Sequence, residues 1–313
     1  MIQCFEIDSK GLHPVEWKSC LQSNSGRQFW IDIVRPDPLI ISEIEERLQI
    51  NILTPEEIAQ SGPISRLYKE NSALFMTMTA VAHSESEPTR TPVTFVMTNS
   101  YLITLRYEDL VAFKSFHTNC LSRTILPTTK EAVLISILEE LIDRLSDLLE
   151  ISSSHADDIS RSSFEHQEKP EFDMAGIGRV GDLTSKIRDS LLSIRRLLLF
   201  LGDQGGQFLE PSLKTVGKNV TTLLDQSNFL FNHITFVLDA TLGVINIEQN
   251  RTIKIFSVVA VIFLPPTLIA SIYGMNFHFM PELDHPWGYP MALVTMLISA
   301  VVPFWIFKKM RWL

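Results

Sequence analysis

The chain has 313 residues, 45% hydrophobic, with 36 acidic against 27 basic side chains and a net charge of −9, enough for one or two folded domains besides any membrane segment. The acidic balance argues against nucleic acid as a partner, because phosphate contacts need clustered Lys and Arg, and it favours cations. Cys4, Cys20 and Cys120 have neither metal-ligand spacing nor the even number of a disulfide framework, which points to a reducing compartment.

Acidic residues within the first ten positions and the lack of an apolar core segment there predict no signal peptide. Residues 1–129 then read as an α/β domain. The runs at 29–34, 73–79, 93–97 and 101–105 are rich in β-branched and aromatic residues, and Thr98-Asn99-Ser100 suits a hairpin between the last two. Helical spacing over 39–53 follows Pro36-Asp37-Pro38, and Thr54-Pro55-Glu56-Glu57 is an N-cap followed by Pro at the first helical position.

Residues 130–210 predict a cytoplasmic helical hairpin. Val133, Leu134, Ile137, Leu141, Leu145, Leu148 and Leu149 recur at helical spacing over 130–154, and a second helix runs over about 182–200. The connection contains Gly176-Ile177-Gly178-Arg179-Val180-Gly181, formally a dinucleotide fingerprint. No hydrophobic strand precedes it, so the spacing predicts a flexible loop and no nucleotide.

After Pro211 no proline occurs until Pro265, so one helix over 211–273 is expected, about 90 Å long at 1.5 Å per residue. Leu213, Val216, Val220, Leu223, Leu230, Ile234, Val237, Thr241 and Ile245 form a packing stripe of period 3.5. The opposite stripe carries Asp225, Asn232, Asp239 and Asn246 at intervals of seven, and continues in phase through Asn250, Ile253, Ser257, Ala260, Leu264, Thr267 and Ser271. A solvated helix face explains the first part alone. Beyond residue 250 lipid would be a costly neighbour for grouped Asn, Ser and Thr, so the stripe reads as a cytoplasmic funnel leading into a pore lining, repeated around a symmetry axis.

Two uncharged apolar runs, 255–273 and 291–307, each cover about 25–28 Å and predict a transmembrane hairpin with an external loop at 274–290 and a basic tail at 308–313. Arg251 and Lys254 precede the first span, Lys308, Lys309 and Arg311 follow the second, and the loop has no Lys or Arg. Both termini are therefore expected in the cytoplasm. Tyr273, Trp287, Tyr289, Trp305 and Trp312 suit the two interfaces.

Tyr273-Gly274-Met275-Asn276, followed by Met280-Pro281-Glu282-Leu283, resembles the signature of the CorA family of magnesium channels. Similarity extends through Ile247-Glu-Gln-Asn-Arg251, Leu264-Pro-Pro-Thr267 and Trp287-Gly-Tyr-Pro290, and more weakly to Trp30-Ile-Asp-Ile33 and the strand ending at Arg106. The resemblance implies an α+β membrane protein of the inner (plasma) membrane. It also implies a homopentameric funnel whose cytoplasmic domains bind Mg²⁺ between subunits and shut the pore, with Mg²⁺ and other divalent cations as partners and no cofactor.

Mg²⁺ dehydrates reluctantly and no carboxylate lies within the spans. A ring of Asn276 carbonyls, helped by the Gly274 backbone carbonyl, would hold the ion through its bound water, with Met275 packed behind and Gly274 letting the backbone turn. Glu282 and Asp284 would add negative potential at the outer mouth. Influx of Mg²⁺, and also of Co²⁺ or Ni²⁺, needs no ATP, and no Walker motif, catalytic triad or metalloprotease helix indicates an enzyme. The alternatives are a Zn²⁺ or other transition-metal transporter using the loop imidazoles of His278 and His285, and a non-conducting membrane-tethered sensor.

Overall fold

The computed structural model describes residues 1–21, 26–60, 62, 65–83, 88–165, 173–204, 210–276, 278, 280–282 and 285–310. The chain divides into two compact units, Met1–Val237 and Leu238–Leu313.

The first unit is built on a seven-stranded sheet in the order β2-β1-β3-β7-β6-β5-β4, comprising β1 (Ile2–Asp8), β2 (Gly11–Val15), β3 (Gln28–Val34), β4 (Leu67–Glu70), β5 (Ala73–His83), β6 (Pro88–Met97) and β7 (Tyr101–Arg106). β3 and β7 pair in parallel and every other neighbour is antiparallel. All of β7 and the middle five residues of β3 are buried, as expected of central strands covered on both faces. The expected hairpin at 98–100 is present. Thr98 N–H donates to the Tyr101 carbonyl at 2.9 Å, and the Thr98 hydroxyl accepts from Tyr101 N–H at 3.0 Å.

The hairpin β1–β2 was not expected. Its turn uses Gly11 at φ 112°, and the Asp8 carboxylate accepts from Lys10 N–H at 2.6 Å; Pro14 is tolerated because β2 is an edge strand. The helix expected over 39–53 is α2 (Pro38–Leu48), capped by Asp37 and ended by Gln49 in the left-handed conformation. In α3 (Pro55–Gln60) the cap is reciprocal, since Glu57 N–H donates to Thr54 Oγ1 and Thr54 N–H donates to the Glu57 carboxylate. A short α1 (Trp17–Cys20) and α4 (Val111–Leu121) are additions to the expected set.

The helical hairpin is longer on both arms than its periodicity suggested. α5 (Lys130–Glu165) continues past residue 154, where Ala156 is still buried, and within the expected span the buried Ser152 donates its hydroxyl to the Leu148 carbonyl. α6 (Met174–Gln204) begins eight residues before the expected start, so the Gly176–Gly181 segment is helix and the loop reading is corrected. Asp173 explains this. Its carboxylate accepts from Gly176 N–H at 2.7 Å, its carbonyl accepts from Ile177 N–H, and Ile177 and Val180 turn into the core.

The helix expected over 211–273 is α7 (Glu210–Tyr273). Within the first unit Val216, Val220, Leu223, Ser227, Leu230, Ile234 and Val237 are buried, alternating in steps of four and three, the seam of a helix held by neighbours. Those neighbours include α6, where Arg188 lies over the Phe231 ring at 5.3 Å, and α5, where Asp157 lies 3.9 Å from His233. At about 1.5–3 kcal/mol for each large aliphatic side chain, this seam holds α7 more firmly than helix propensity could.

The second unit holds the rest of α7 and α8 (Gly288–Lys309), both long and apolar enough to cross a membrane. Among the described residues from 247 to 310 only Val258 and Ala292 are buried, so the apolar surface of both helices is outward-facing, as a lipid-covered helix requires. Pro265 and Pro266 sit inside α7 without ending it. They remove two ladder donors, which frees the carbonyls of Val261 and Ile262.

Candidate functional site

Every member of the polar stripe on α7 is exposed: Asp225 and Asn232 in the first unit, then Asp239, Asn246, Asn250, Ile253, Ser257, Ala260, Leu264, Thr267 and Ser271. The packing seam is elsewhere on the helix. Two hydroxyls in the membrane segment are satisfied by their own helix, with Ser257 donating to the Ile253 carbonyl at 2.8 Å and Thr267 to the Phe263 carbonyl at 2.7 Å. Such bonding lowers the cost of lipid contact for these two side chains, so Asn250 and Asn246 carry more of the polar argument than Ser257 or Thr267.

α7 closes at the loop motif. Gly274 N–H still bonds the Ala270 carbonyl at 2.9 Å, whereas Met275 N–H bonds the Ile272 carbonyl at 3.2 Å, a tightening of the last turn. Gly274 is not among the residues at positive φ, so its value here is size and not left-handed freedom. An added Cβ would meet the Ala270 carbonyl oxygen at 3.2 Å. Met275 and Asn276 are both exposed immediately beyond. Glu282, His278 and His285 are exposed as well; Asp284, Arg311 and Trp312 lie outside the described residues. The loop leads into α8 with Gly288 N–H on the His285 carbonyl and Met291 N–H on that of Trp287.

Residues 26–309 match the family model described as CorA-like Mg2+ transporter protein. The chain belongs to the CorA family. It is 33% identical over 320 aligned positions, covering all of both chains, to the magnesium transport protein CorA of Escherichia coli. Its fold is that of the complete CorA magnesium transporter from Methanocaldococcus jannaschii, with TM-score 0.80 at 18% identity over 100% of this chain and 99% of that one. The ZntB cytoplasmic domain from Vibrio parahaemolyticus is a more distant likeness, TM-score 0.59 at 10% identity, over 78% of this chain and 97% of that domain. The CorA family is one of transporters and not of enzymes.

One buried polar cluster of this CorA-family chain escaped the sequence reading. The Asp32 carboxylate, 1% exposed, accepts from the Thr104 hydroxyl at 2.7 Å and from Arg106 Nη2 at 2.8 Å, and the Thr104 hydroxyl accepts from Trp30 Nε1 at 3.1 Å. His117 stacks on Trp30 and places Nε2 4.0 Å from Asp32, too far for a hydrogen bond. Burial pushes the Asp32 carboxyl up, but the neighbouring His117, Arg106 and Thr104 bring it below the usual carboxylate range. Arg106 and His117 also border a cavity of about 1150 Å³ between β1 and α4. The available signal was an Asp inside a β-like apolar run.

Proposed function

We propose that this protein is a channel for Mg²⁺ influx, also passing Co²⁺ and Ni²⁺, assembled as a homopentamer in the inner (plasma) membrane with both termini in the cytoplasm. The observation that carries the reading is one exposed polar stripe on α7. It keeps a 3.5-residue phase from Asp225 to Ser271 and runs out at the Gly274-Met275-Asn276 motif, in a chain that belongs to a family of magnesium transporters.

Around a shared axis each stripe position becomes a ring. Asp225, Asn232, Asp239 and Asn246 form a cation-attracting cytoplasmic funnel. Asn250, Ile253, Ser257, Ala260, Leu264, Thr267 and Ser271 line a narrow, mostly apolar pore. Asn276 carbonyls accept hydrogen bonds from the waters of a hydrated ion, which suits a metal that keeps its shell, and the Gly274 carbonyl assists. Glu282 and Asp284 raise the local cation concentration at the outer mouth. A divalent ion entering down about 100 mV releases about 4.6 kcal/mol, so the membrane potential alone drives uptake. Binding of Mg²⁺ between cytoplasmic domains favours the closed arrangement by mass action.

The test is flux into proteoliposomes with Mg²⁺ set independently on each side. Potential-driven Mg²⁺ entry that falls when Mg²⁺ on the cytoplasmic side rises is the expected result. Liposomes that pass Zn²⁺ and no Mg²⁺, or no divalent ion at all, would overturn it.

A further inference from the structure

A cavity of about 350 Å³ lies between the sheet and α6, away from the α7 stripe, and its lining includes Arg66, Arg90, Arg196, Asp189, Thr77 and Thr79. Three arginines and one aspartate share that lining. Asp189 is already committed, with Oδ2 2.6 Å from Arg90 Nη2. Among the described residues no carboxylate lies within ion-pairing distance of Arg66 or Arg196, although acids outnumber bases in the chain as a whole.

Arg66 and Arg196 are both half-buried. Arg66 Nη2 donates to the Ile58 carbonyl at 3.0 Å, and its Nε is buried without a hydrogen-bond partner. Arg196 Nε donates to the Leu192 carbonyl at 3.2 Å, which leaves its terminal nitrogens uncommitted among the described residues. Half-buried charge without a counter-charge is costly, and an orphaned buried donor adds to that cost. The surrounding structure is fixed: the Ser193 hydroxyl accepts from Thr79 N–H at 3.1 Å, tying β5 to α6, and Thr77 Oγ1 lies 2.9 Å from Thr94 Oγ1.

We propose that this cavity binds a phosphate-class dianion, which would bridge the β4–β6 end of the sheet to α6. Planar guanidinium forks match tetrahedral oxyanions in geometry as well as charge, and the net charge of the lining calls for two negative charges. The volume is at the small end for ligand sites, sufficient for a phosphoryl group or a short chain of them.

Full-length protein in detergent, free of Mg²⁺, is titrated with inorganic phosphate, pyrophosphate or ATP, with chloride at matched ionic strength as control. Calorimetry and thermal unfolding are both recorded. Binding of at least one phosphate compound, with a rise in Tm that chloride does not reproduce, is expected, and the tightest of the three names the source. Arg66→Gln and Arg196→Gln should each weaken binding about tenfold to a hundredfold, Arg196→Lys should restore part of it, and Lys69→Gln outside the cavity should leave it unchanged. No saturable heat from any of the three would overturn the proposal. So would an unchanged affinity in both Gln variants, or a loss of oligomer in those variants with no phosphate response in the parent protein, which would assign the arginines to carboxylates of a neighbouring copy.

Discussion

Arg106 Nη2 lies 2.8 Å from Asp32 Oδ2 across the parallel strands β7 and β3, with both side chains buried at the centre of the sheet. Removing one partner leaves the other charged and desolvated. Asp32→Ala is therefore expected to destabilise the first unit by about 3–5 kcal/mol, because the half-exposed Asp109, 3.2 Å from Arg106 Nη1, is a poor substitute. Thermal unfolding of the full chain checks this, and a loss under about 1 kcal/mol would show the pair to be dispensable.

The same carboxylate has a pH signature. Its folded-state pKa is depressed, so its contribution is complete above the unfolded value, about 3.9, and is lost as pH falls through the folded value. The stabilising effect of Asp32 relative to Asn at that position should be constant from neutral pH to about 5 and shrink in acid. A difference that instead grew below pH 4 would reverse the sign of the shift.

The Asp32–Arg106 pair leaves no mark in the sequence pattern. In Phe29-Trp-Ile-Asp-Ile-Val34 the alternation of faces cannot be read from a run buried on both sides, so an interior Asp looks like any strand polar residue. Its partner lies 74 positions away, and only the parallel register brings them together. Cys4 and Cys20 behave alike: scattered in sequence, they share one buried cluster once β1 and α1 are in place. The α7 seam was legible because its aliphatic residues keep a strict 3.5 period; Ser227, fully buried at the same phase, was hidden by its polarity. Gly274-Met275-Asn276 stands out in the sequence by its place between two apolar runs, and the structure puts it at the C-terminal end of α7. The exposure of Met275 and Asn276 is visible only once α7 has ended.

At the motif, Asn276→Ala should abolish selective Mg²⁺ uptake while the protein still folds and assembles. Asn276 is exposed, and truncation of an exposed side chain outside any packed core costs within about 0.5 kcal/mol. Flux with assembled, detergent-stable variant protein makes the comparison. Mg²⁺ entry equal to the parent would remove Asn276 from selection.

Topology can be read by thiol labelling. Glu282→Cys should react with a membrane-impermeant reagent applied to intact cells, and Glu46→Cys on α2, equally exposed, should react only after the membrane is broken. Native Cys120 is a poor inside marker. Burial and the nearby Glu140 push its thiol up to about 11, so little thiolate is present at neutral pH on either side. Labelling of Glu46→Cys before lysis would invert the orientation.

Asp239 decides between a ring and a wet helix face. On a shared axis, five carboxylates at one level attract cations below the pore; on an ordinary solvated face they do not. In the proposed pentamer, Asp239→Lys would place five positive charges along the ion path. Even at an effective dielectric near 20, each would oppose a divalent ion about 8 Å away by about 4 kcal/mol before screening. Conduction in assembled protein should then fall below detection, whereas Glu46→Lys, a charge reversal of the same size on α2, should leave flux nearly unchanged. Raising the salt should recover little of the lost flux if the charges face a confined pathway, because ions reach such a site less freely than an open surface. Small and equal effects from the two reversals would mean that the seven-residue polar stripe faces solvent alone, and the funnel would have to be sought on another face of α7.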